Sequence, residues 1–410
     1  MKRTQVILGI VTLLCCTLFA LSPPSSKVHA TTWDQQAYIW QRVWTPQHQE
    51  ALVQSHSLFS GLRVLGLQIN HGEDLSKISV DTKMLQQDGR PIWFVVRLDG
   101  QLPDIDSALV IKRLLSLLRL WQQNGLTVVG VEIDYDSPTS KLETYKNFLK
   151  LLRSQLSQNL QISITLLPTW LSSTELPALV QQADISVLQV HAVLSPEKGL
   201  FDVKRANQWI KQYSGITSKP FYVALPAYGI GLTRLQDQQL LVESETPLHL
   251  AGKMQELSVE PQTMSDFLSQ LRTHDTPNLK GLIWFRLPLD GDRRAWSMPT
   301  LKAVILQQPL AVQWIVDAQA QPSTNEQTTI LYDLVLRNRG QIDGRLPNEI
   351  TLSTKRCQLA DAVANYRLDH DGQNLRFIRI HSQQLRAGQN QAIGWVRCTQ
   401  IGQGDIHVIP

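Results

Sequence analysis

The sequence lacks the short motifs that mark most nucleotide-, zinc- and serine-dependent enzymes. It has no GxxxxGK phosphate loop, no GxGxxG after the first predicted strand, no pair of histidines four residues apart and no G-x-S-x-G turn. These motifs cradle phosphates, hold zinc or present a serine nucleophile. The sequence therefore does not favour a nucleotide- or flavin-binding enzyme, a zinc protease or a serine hydrolase. We predict neither a cofactor nor a metal site.

Cysteine is scarce, with four in 410 residues. Cys15 and Cys16 lie in an apolar N-terminal segment, whereas Cys357 and Cys398 lie near the C-terminus. Two lone cysteines without nearby histidines do not make a zinc site. In an exported protein, which meets an oxidising compartment, we expect Cys357 and Cys398 to form a disulfide. Two buried free thiols are the alternative.

Long uncharged apolar runs are also absent, except at the N-terminus. Lys2 and Arg3 precede an uncharged run over residues 6–21, and a Val-His-Ala cleavage site ends at Ala30. This pattern is typical of a secretory signal peptide. We predict a signal peptide over residues 1–30 and a periplasmic or secreted protein with no stable membrane span after cleavage. A retained anchor is the alternative, although the run is short for a span of roughly 20 residues.

The net charge is small. The formal charge is +4, and removing the predicted signal, which carries three basic residues and no acidic one, leaves +1. A nearly neutral chain without a basic run has no electrostatic footprint for nucleic acid. We therefore predict no nucleic-acid partner, and the sequence leaves the oligomeric state open.

What the sequence does contain is a repeated alternation of apolar, β-branched runs and helical patterns. This alternation predicts parallel strands covered by helices. Eight such strands favour a closed (β/α)₈ barrel over an open sheet, which more often has five or six. The segment between the last two predicted strands is long enough to hold a hairpin around residues 239–244. The eight predicted strands are residues 37–44, 62–69, 91–98, 127–135, 161–167, 185–192, 221–227 and 281–287.

The pattern changes after residue 308. A polar segment at 319–329 is followed by short alternating apolar segments separated by turn residues. Such segments are typical of a small antiparallel β-sandwich. We therefore predict a barrel over residues 31–308 and a β-sandwich domain over residues 309–410. The predicted sandwich strands are residues 330–336, 349–352, 364–368, 375–380 and 392–396.

The strongest chemical signal is the run Gly-Val-Glu-Ile-Asp-Tyr-Asp at residues 130–136, which ends the fourth strand. Side chains alternate across a strand, so Glu132, Asp134 and Asp136 share one face. The apolar residues between them suit the helix-covered side, so the acids should point into the barrel and towards its C-terminal mouth, where barrel active sites lie. Because three confined carboxylates do not all ionise cheaply, one should hold a proton or pair with a cation. A neutral acid beside an ionised one is what glycoside cleavage requires.

Two alternatives to catalysis remain open for these acids. Arg97, on the neighbouring third strand, could neutralise them in a structural cluster, and Arg286 is a second candidate partner. Asp99, Asp134 and Asp136 could instead offer hard oxygen ligands to a divalent cation.

The fourth strand resembles the DxxDxDxE signature of family 18 glycoside hydrolases, the chitinase-like barrels. The resemblance implies that Asp136 takes the place of the general acid, Asp134 that of the assisting aspartate, and Glu132 the deeper acidic place. The first acidic position of the signature falls on Val129 and is absent. Asp136 is one methylene shorter than the glutamate of that family, which sets the proton donor about 1 Å further back, and a misplacement of that size can cost about a hundredfold in rate.

Other strand ends resemble the same barrels. The Pro-Ala-Tyr-Gly run at 226–229 resembles the P-x-Y-G ending of the seventh strand, and Trp284 resembles the aromatic floor on the eighth. Gln189 and His191 resemble the pocket-lining Met and Tyr of the sixth strand in place, not in type. Packing in the core is the alternative for each aromatic residue. The predicted substrate-binding residues are Tyr228, Trp284, His191, Gln189, Arg97, Asp99, Trp170 and Trp44.

The run over residues 38–46 (YIWQRVWTP) and the RLDG run over residues 97–100 resemble a bacterial family, domain of unknown function 3142, which is grouped with glycosidase-like barrels. Together the resemblances imply an exported glycoside hydrolase-like protein that cleaves a polysaccharide or an N-acetylated oligosaccharide. The alternative is a non-catalytic carbohydrate-binding or envelope assembly protein on a degenerate barrel, which the shortened Asp136 favours.

Overall fold

A computed structural model describes residues 33–70, 75–102, 104–191, 199–234, 240–243, 254–322 and 328–410. The predicted signal peptide lies outside the described residues and stays a prediction. No helix in the part of the chain that the structure describes is long and apolar enough to cross a membrane.

Eight parallel strands form a closed barrel, in which each strand pairs with its neighbours in chain order and the first strand also pairs with the last. All eight strands expected from the sequence are present, and the predicted fold class is confirmed. Most of these strands are nearly continuous apolar runs, because both of their faces are buried. They are β1 Asp34–Ile39, β2 Gly61–Ile69, β3 Ile92–Leu98, β4 Val128–Tyr135, β5 Gln161–Leu166, β6 Ile185–Gln189, β7 Phe221–Pro226 and β8 Leu279–Phe285.

One α-helix follows each barrel strand within the described residues. The third helix shows why they form, since Asp106 caps its N-terminus by accepting a hydrogen bond from the amide of Leu109 at 3.0 Å. Its apolar residues recur every three or four positions and are buried against the barrel. The helices are α1 Pro46–Ser55, α2 Thr82–Asp88, α3 Ser107–Gln123, α4 Leu142–Gln155, α5 Leu176–Val180, α6 Val203–Ser214, α7 Pro261–Thr273 and α8 Met298–Ile305.

Two apolar layers lie on opposite faces of the barrel strands. The larger lies between the strands and the helices and includes Val131, Ile133 and Tyr135 of β4. The smaller fills the barrel interior and includes Tyr38 and Tyr222. The other residues of β4 therefore face the interior, as the alternation of the sequence predicts.

Three short strands interrupt the step from β7 to α7. Gly229–Arg234 pairs antiparallel with both Leu240–Glu243 and Met254–Ser258. The predicted hairpin around residues 239–244 falls partly on residues outside the described ranges. A further strand, Leu75–Lys77, pairs antiparallel with β2 at the edge of the barrel.

The C-terminal region is built from antiparallel sheets. One sheet holds Trp314–Ala320, Ile330–Asn338, Asn390–Cys398 and Cys357–Ala362, and a second holds Tyr366–His370, Asn374–Arg379, Glu349–Ser353 and Ile406–Ile409. Gly344–Arg345 pairs with Gln384–Leu385. Residues of both larger sheets share one apolar core, as expected of a β-sandwich. The last barrel helix ends at Ile305 and the first of these strands begins at Trp314; the predicted boundary at residue 308 stays a prediction.

Cys357 and Cys398 lie opposite each other on paired strands, and their sulfurs are 2.09 Å apart in a disulfide. The bridge ties the strand Cys357–Ala362 to its neighbour at the edge of the first sheet. Residues Trp33–Pro410 form one compact unit.

Candidate functional site

A cavity of about 310 Å³ lies at the C-terminal ends of the barrel strands. All eight strands or the loops that follow them contribute side chains, which places the cavity where barrel enzymes hold their active sites. Its size is at the lower end of the roughly 300–1,000 Å³ typical of ligand pockets. The lining residues are Tyr38, Trp40, Arg42, Gln68, Arg97, Asp99, Asp134, Asp136, Thr165, Gln189, His191, Ala224, Tyr228 and Phe285.

Arg97 holds the two predicted catalytic aspartates together. Its Nη1 donates a 2.6 Å hydrogen bond to Asp134, and its Nη2 donates to Asp136. Burial opposes the charge on Arg97, but the two carboxylates outweigh burial and raise the pKa of the guanidinium. Arg97 therefore stays cationic between the two acids.

Asp136 lies at the rim of the cavity. Its side chain is 22% exposed, whereas that of Asp134 is 4% exposed. Burial raises the pKa of Asp136 above its ordinary value; Arg97 opposes this, and the charge of Asp134 adds to it. Asp136 is thus the acid of the pair that is biased towards carrying a proton while it still reaches the cavity.

Asp134 lies one step deeper on β4. In addition to Arg97, the hydroxyl of Thr165 on β5 donates a 2.6 Å hydrogen bond to its second oxygen. Hydrogen bonds at both oxygens fix the orientation of the Asp134 carboxyl group. Asp134 is therefore a rigidly held acid beside the more exposed Asp136.

Gly100 lets the loop after β3 approach Asp136 closely. A Cβ at Gly100 would lie 2.2 Å from the carbonyl oxygen of Asp136 and 3.1 Å from its Cβ. Only a residue without a side chain fits there. The Arg97-Leu98-Asp99-Gly100 run thus supplies both the cation that binds Asp136 and the space in which the Asp136 backbone lies.

Glu132 does not reach the cavity, and its predicted catalytic role is corrected. Its side chain is fully buried below Asp134, where it pairs with Arg63. It also accepts hydrogen bonds from Tyr38 at 2.6 Å and from Ser163 at 2.8 Å. The sequence did not reveal Arg63 as its partner, because Arg63 lies within an apolar strand, β2.

The opposite side of the cavity is polar but uncharged. His191 is 4% exposed, and burial lowers its pKa to about 4, against weaker opposing effects of the Ala224 backbone and the Asp134 charge, so the ring is neutral near pH 7. The amide nitrogen of Gln189 lies 3.3 Å from Nε2 of His191. Gln189 Oε1 and His191 Nδ1 are buried without hydrogen-bond partners among the described residues. Unpaired buried polar atoms are rare in folded proteins, and a bound hydroxyl or amide group would satisfy them.

Tyr228 and Phe285 form the aromatic wall of this side. Their ring centroids are 5.1 Å apart, and Phe285 also stacks on His191 at 5.9 Å. Burial raises the pKa of Tyr228 to about 12, with the charge of Arg286 opposing the rise, so its hydroxyl is a neutral donor. Trp40 packs against Phe285 at 5.2 Å and extends the wall towards β1.

The three tryptophans predicted to bind substrate lie elsewhere. Trp284 is fully buried between strands and helices, where its Nε1 donates to Gln35 at 2.8 Å. Trp170 is also fully buried and donates to the carbonyl of Ser137 at 2.9 Å. Trp44 stacks on His48 of α1 at 4.6 Å and does not line the cavity. Rings without exposure to the cavity cannot stack on a sugar, and on β8 the inward aromatic residue is Phe285.

Two further predictions concern charges. Arg286 does not pair with the β4 acids among the described contacts; it lies beyond Phe285, 1% exposed, and binds Asp292 at 2.6 Å. Asp99 lines the cavity and accepts a hydrogen bond from the amide of Gln101 at 2.9 Å; its substrate-binding role stays a prediction.

Within the described ranges no group of three or more His, Cys, Asp or Glu side chains is arranged to hold a metal ion. At the mouth of the barrel Arg97 binds both Asp134 and Asp136, so the guanidinium takes the place that a cation would need.

The sequence predicted the acids of the cavity and missed several of its other side chains. Thr165 is signalled by the polar alternation Ser163-Ile164-Thr165 on β5, and Gln68 by its position at the end of an apolar strand. Tyr38 on β1 and Trp40 just after it line the cavity together with Arg42, which binds Gln68 at 2.9 Å.

Residues 88–290 match the model of the family described as Domain of unknown function (DUF3142), which confirms the resemblance inferred from the sequence. Residues 321–399, in the C-terminal region, match a second family, Domain of unknown function (DUF8456). No protein among the curated sequences matches the chain.

Solved structures with a similar fold include chitinases and a spore enzyme. The Bacillus cereus spore cortex-lytic enzyme SleL has 12% sequence identity and a TM-score of 0.49, with 67% of this chain and 74% of that chain covered. A chitinase from Chromobacterium violaceum has 12% identity and a TM-score of 0.46, with 67% and 98% covered. A chitinase from Bacteroides thetaiotaomicron has 11% identity and a TM-score of 0.45, with 62% and 89% covered. Identities of 11–12% do not establish a function, which has to be inferred from the cavity itself.

Proposed function

We propose that this protein is an exported glycoside hydrolase-like enzyme that binds a carbohydrate in the barrel cavity and cleaves a glycosidic bond, with Asp136 as the proton donor. One observation carries the proposal: an acid with a raised pKa reaches an open cavity beside a second acid held by a cation and a hydroxyl. Unequal environments for two neighbouring carboxyl groups are the arrangement that acid-assisted glycoside cleavage needs.

The two carboxyl groups would play different parts in the step that breaks the glycosidic bond. Asp136, in its protonated form, would donate to the oxygen of the leaving sugar. The carboxylate of Asp134, bound by Arg97 and Thr165, would stabilise the positive charge that develops on the sugar, or orient an acetamido group of the substrate that attacks in place of an enzyme nucleophile. A water molecule would then add to the anomeric carbon and return a proton to Asp136, which completes the hydrolysis. Arg97 would exchange its hydrogen bond with Asp136 for one with the substrate when Asp136 is protonated.

The uncharged side of the cavity would bind the sugar. Gln189, His191 and Tyr228 present neutral donors and acceptors, which match hydroxyl and amide groups, and Phe285 and Trp40 offer ring faces on which a sugar can stack. This chemistry favours a neutral substrate such as an N-acetylated oligosaccharide over a phosphorylated or strongly anionic one.

The discriminating assay is turnover of N-acetylated oligosaccharides, with chitotriose as the first probe, by the purified protein and by Asp136→Asn. We expect turnover by the wild type and its loss in the variant with the melting temperature unchanged. Asp317→Asn, on the C-terminal β-sandwich, is the matched control and should keep full turnover. Turnover that persists in Asp136→Asn would exclude Asp136 as the donor.

A second candidate function is carbohydrate binding without cleavage, and the direct bond between Arg97 and Asp136 favours it, because a guanidinium bound to the carboxyl group opposes the protonation that a donor needs. It predicts no turnover of any glycan, binding of chitotriose that Phe285→Ala weakens, and no effect of Asp136→Asn on binding. Calorimetric titration of the three proteins separates the two functions.

Export is the remaining part of the proposal. The sequence over residues 1–30 supports it. After expression of the full chain in a bacterium, we expect the protein outside the cytoplasm with Thr31 as its first residue. A protein that retains Met1 and sediments with membranes would instead indicate the retained anchor.

A further inference from the structure

The loop between β8 and α8, residues 286–297, forms the back of the aromatic wall. The amide of Gly229 donates to the carbonyl of Arg294 at 2.6 Å, and the amide of Trp296 donates to the carbonyl of Ala227 at 3.0 Å. Tyr228 and Ala295 form an isolated β-bridge between these two bonds. The backbone position of Tyr228 is thus set by the β8–α8 loop.

The same loop contacts the β1 side of the cavity. The amide of Leu287, two residues after Phe285, donates to the carbonyl of Tyr38 at 2.8 Å. The buried guanidinium of Arg286 binds Asp292 across the loop at 2.6 Å. Phe285 therefore enters the cavity from a segment that is fixed at Arg286 and Leu287.

The C-terminal region binds the opposite side of this loop. Arg386 donates from Nη1 to the carbonyl of Leu289 at 3.1 Å and from Nη2 to the carbonyl of Asp292. These two acceptors lie on either side of the turn at Gly291. Because one planar guanidinium binds both carbonyls, it fixes the distance between them.

Asp343 makes a second connection close by. Its carboxylate accepts hydrogen bonds from the amide of Ser297 at 2.8 Å, at the start of α8, and from the amide of Ala387 at 3.0 Å. Its own amide donates to the hydroxyl of Thr300 at 2.9 Å. Asp343 thus joins the N-terminus of a barrel helix to the segment that carries Arg386.

We propose that Arg386 is a positioning residue of the cavity: it fixes the β8–α8 loop and, through that loop, Tyr228 and Phe285. The C-terminal region is then part of the framework of the candidate site rather than a separate module. The positioning role rests on contacts alone, and only its kinetic consequence rests on the proposed function.

Amide hydrogen exchange of the full chain tests the positioning role without reference to activity. In Arg386→Ala we expect peptides that cover residues 227–230 and 286–297 to exchange about tenfold faster or more, since two charge-assisted hydrogen bonds are lost. Arg386→Lys should recover part of the protection. The control is Arg376→Ala, which removes an arginine bound to Glu349 within the C-terminal sheets. Unchanged exchange in the loop, or an equal rise in every barrel strand, would overturn the proposal.

Chitotriose kinetics supply the second readout. Arg386→Ala should raise KM about tenfold while the pH profile of kcat, which reports the Asp136 region, stays that of the wild type. A shifted pH profile would show that the effect is not confined to the aromatic wall. If the wild type cleaves no glycan, the proposed function fails, and hydrogen exchange still decides the positioning role.

Discussion

Ion-paired acids lie at two depths along β4 and the residue that follows it, and the two depths differ in what surrounds them. Glu132 and Arg63 are fully buried, and Glu132 also accepts from Tyr38 and Ser163. Asp136 and Arg97 lie at the mouth, each with about a quarter of its side chain exposed. The inner pair is closed to any ligand, whereas the outer pair opens into the cavity. Residues of the same type, a few positions apart, therefore serve structure at one depth and are available for chemistry at the next.

The uncharged side of the cavity contrasts with both pairs. The acids at the mouth have protein partners, whereas Gln189 Oε1 and His191 Nδ1 have none among the described residues. Polar groups whose hydrogen bonds are all made within the protein maintain its geometry. Buried polar groups that lack a partner are the ones to which a ligand can bind. The comparison predicts that substitutions deep in the barrel change stability, those at the acidic rim change turnover, and those on the neutral side change affinity.

The largest expected effect is on the inner pair. Glu132→Gln leaves the guanidinium of Arg63 buried without a compensating charge, and breaking a buried pair in this way typically costs about 3–5 kcal/mol. Asp136→Asn should change the free energy of unfolding by less than about 1 kcal/mol in either direction, because the outer pair is partly exposed. Urea unfolding of the two variants measures the difference. Equal losses would contradict the division of β4 into a structural and a chemical part.

The second prediction uses the buried imidazole. The folded-state pKa of His191 is about 4, below its ordinary value near 6.5, so the folded protein binds fewer protons than the unfolded chain between these values. The contribution of the neutral His191 ring to the free energy of unfolding is therefore fully present above pH 6.5. It is lost as the pH falls towards 4, and the loss is about 3 kcal/mol. His191→Gln should lose less stability over this range than the wild type. The measurement is the free energy of unfolding of both proteins by urea at several pH values between 4 and 7. If the two plots against pH are parallel, the buried ring does not make the predicted contribution.

Much of this architecture could be predicted from the sequence. Where one face of a strand is polar, polar and apolar residues alternate along the chain, and the alternation shows both the strand and its faces. On β4 the acids and the apolar residues alternate, so both the strand and its inward face were predicted correctly. On β8 every residue from Leu282 to Phe285 is apolar, so the alternation does not show which aromatic side chain points inward. The sequence analysis names Trp284, and the structure has Phe285 in the cavity. The strand Trp314–Ala320 was missed because its alternation is weak and its side chains are half-buried or exposed.

Partnerships between distant residues were harder to predict. The sequence allows Arg97 to pair with the aspartates, because β3 and β4 are neighbours in chain order. Arg386 lies about a hundred residues beyond the loop it binds, and no local pattern in the sequence connects the two. Short-range periodicity predicts elements and faces, and it does not reveal a contact that depends on how two regions are assembled.

The third prediction concerns the length of the acid at the rim. Asp136→Glu moves the carboxyl group about 1 Å further into the cavity, and if the donor is set too far back, turnover of chitotriose should rise by up to about a hundredfold. Asp134→Glu, the same change at the deeper acid, is the matched control and should lower turnover, since it displaces a carboxylate already bound by Thr165 and Arg97. A fall in both variants would mean that Asp136 already lies at the productive distance.

The smallest effect is expected at Gly100, which shapes the rim without touching a ligand. A methyl group there would overlap the Asp136 carbonyl, which is backbone and cannot move aside as a flexible side chain would. Gly100→Ala should therefore displace Asp136 and lower the free energy of unfolding by about 1–2 kcal/mol. Gly404→Ala is the control, because a Cβ at Gly404 meets no atom within 4 Å. If Asp136 acts at the rim, Gly100→Ala should also reduce kcat for chitotriose more than it raises KM. A change in KM alone would mean that the substitution disturbs substrate binding and not the acid. That result would contradict the proposed division between an acidic rim that reacts and an uncharged side that binds.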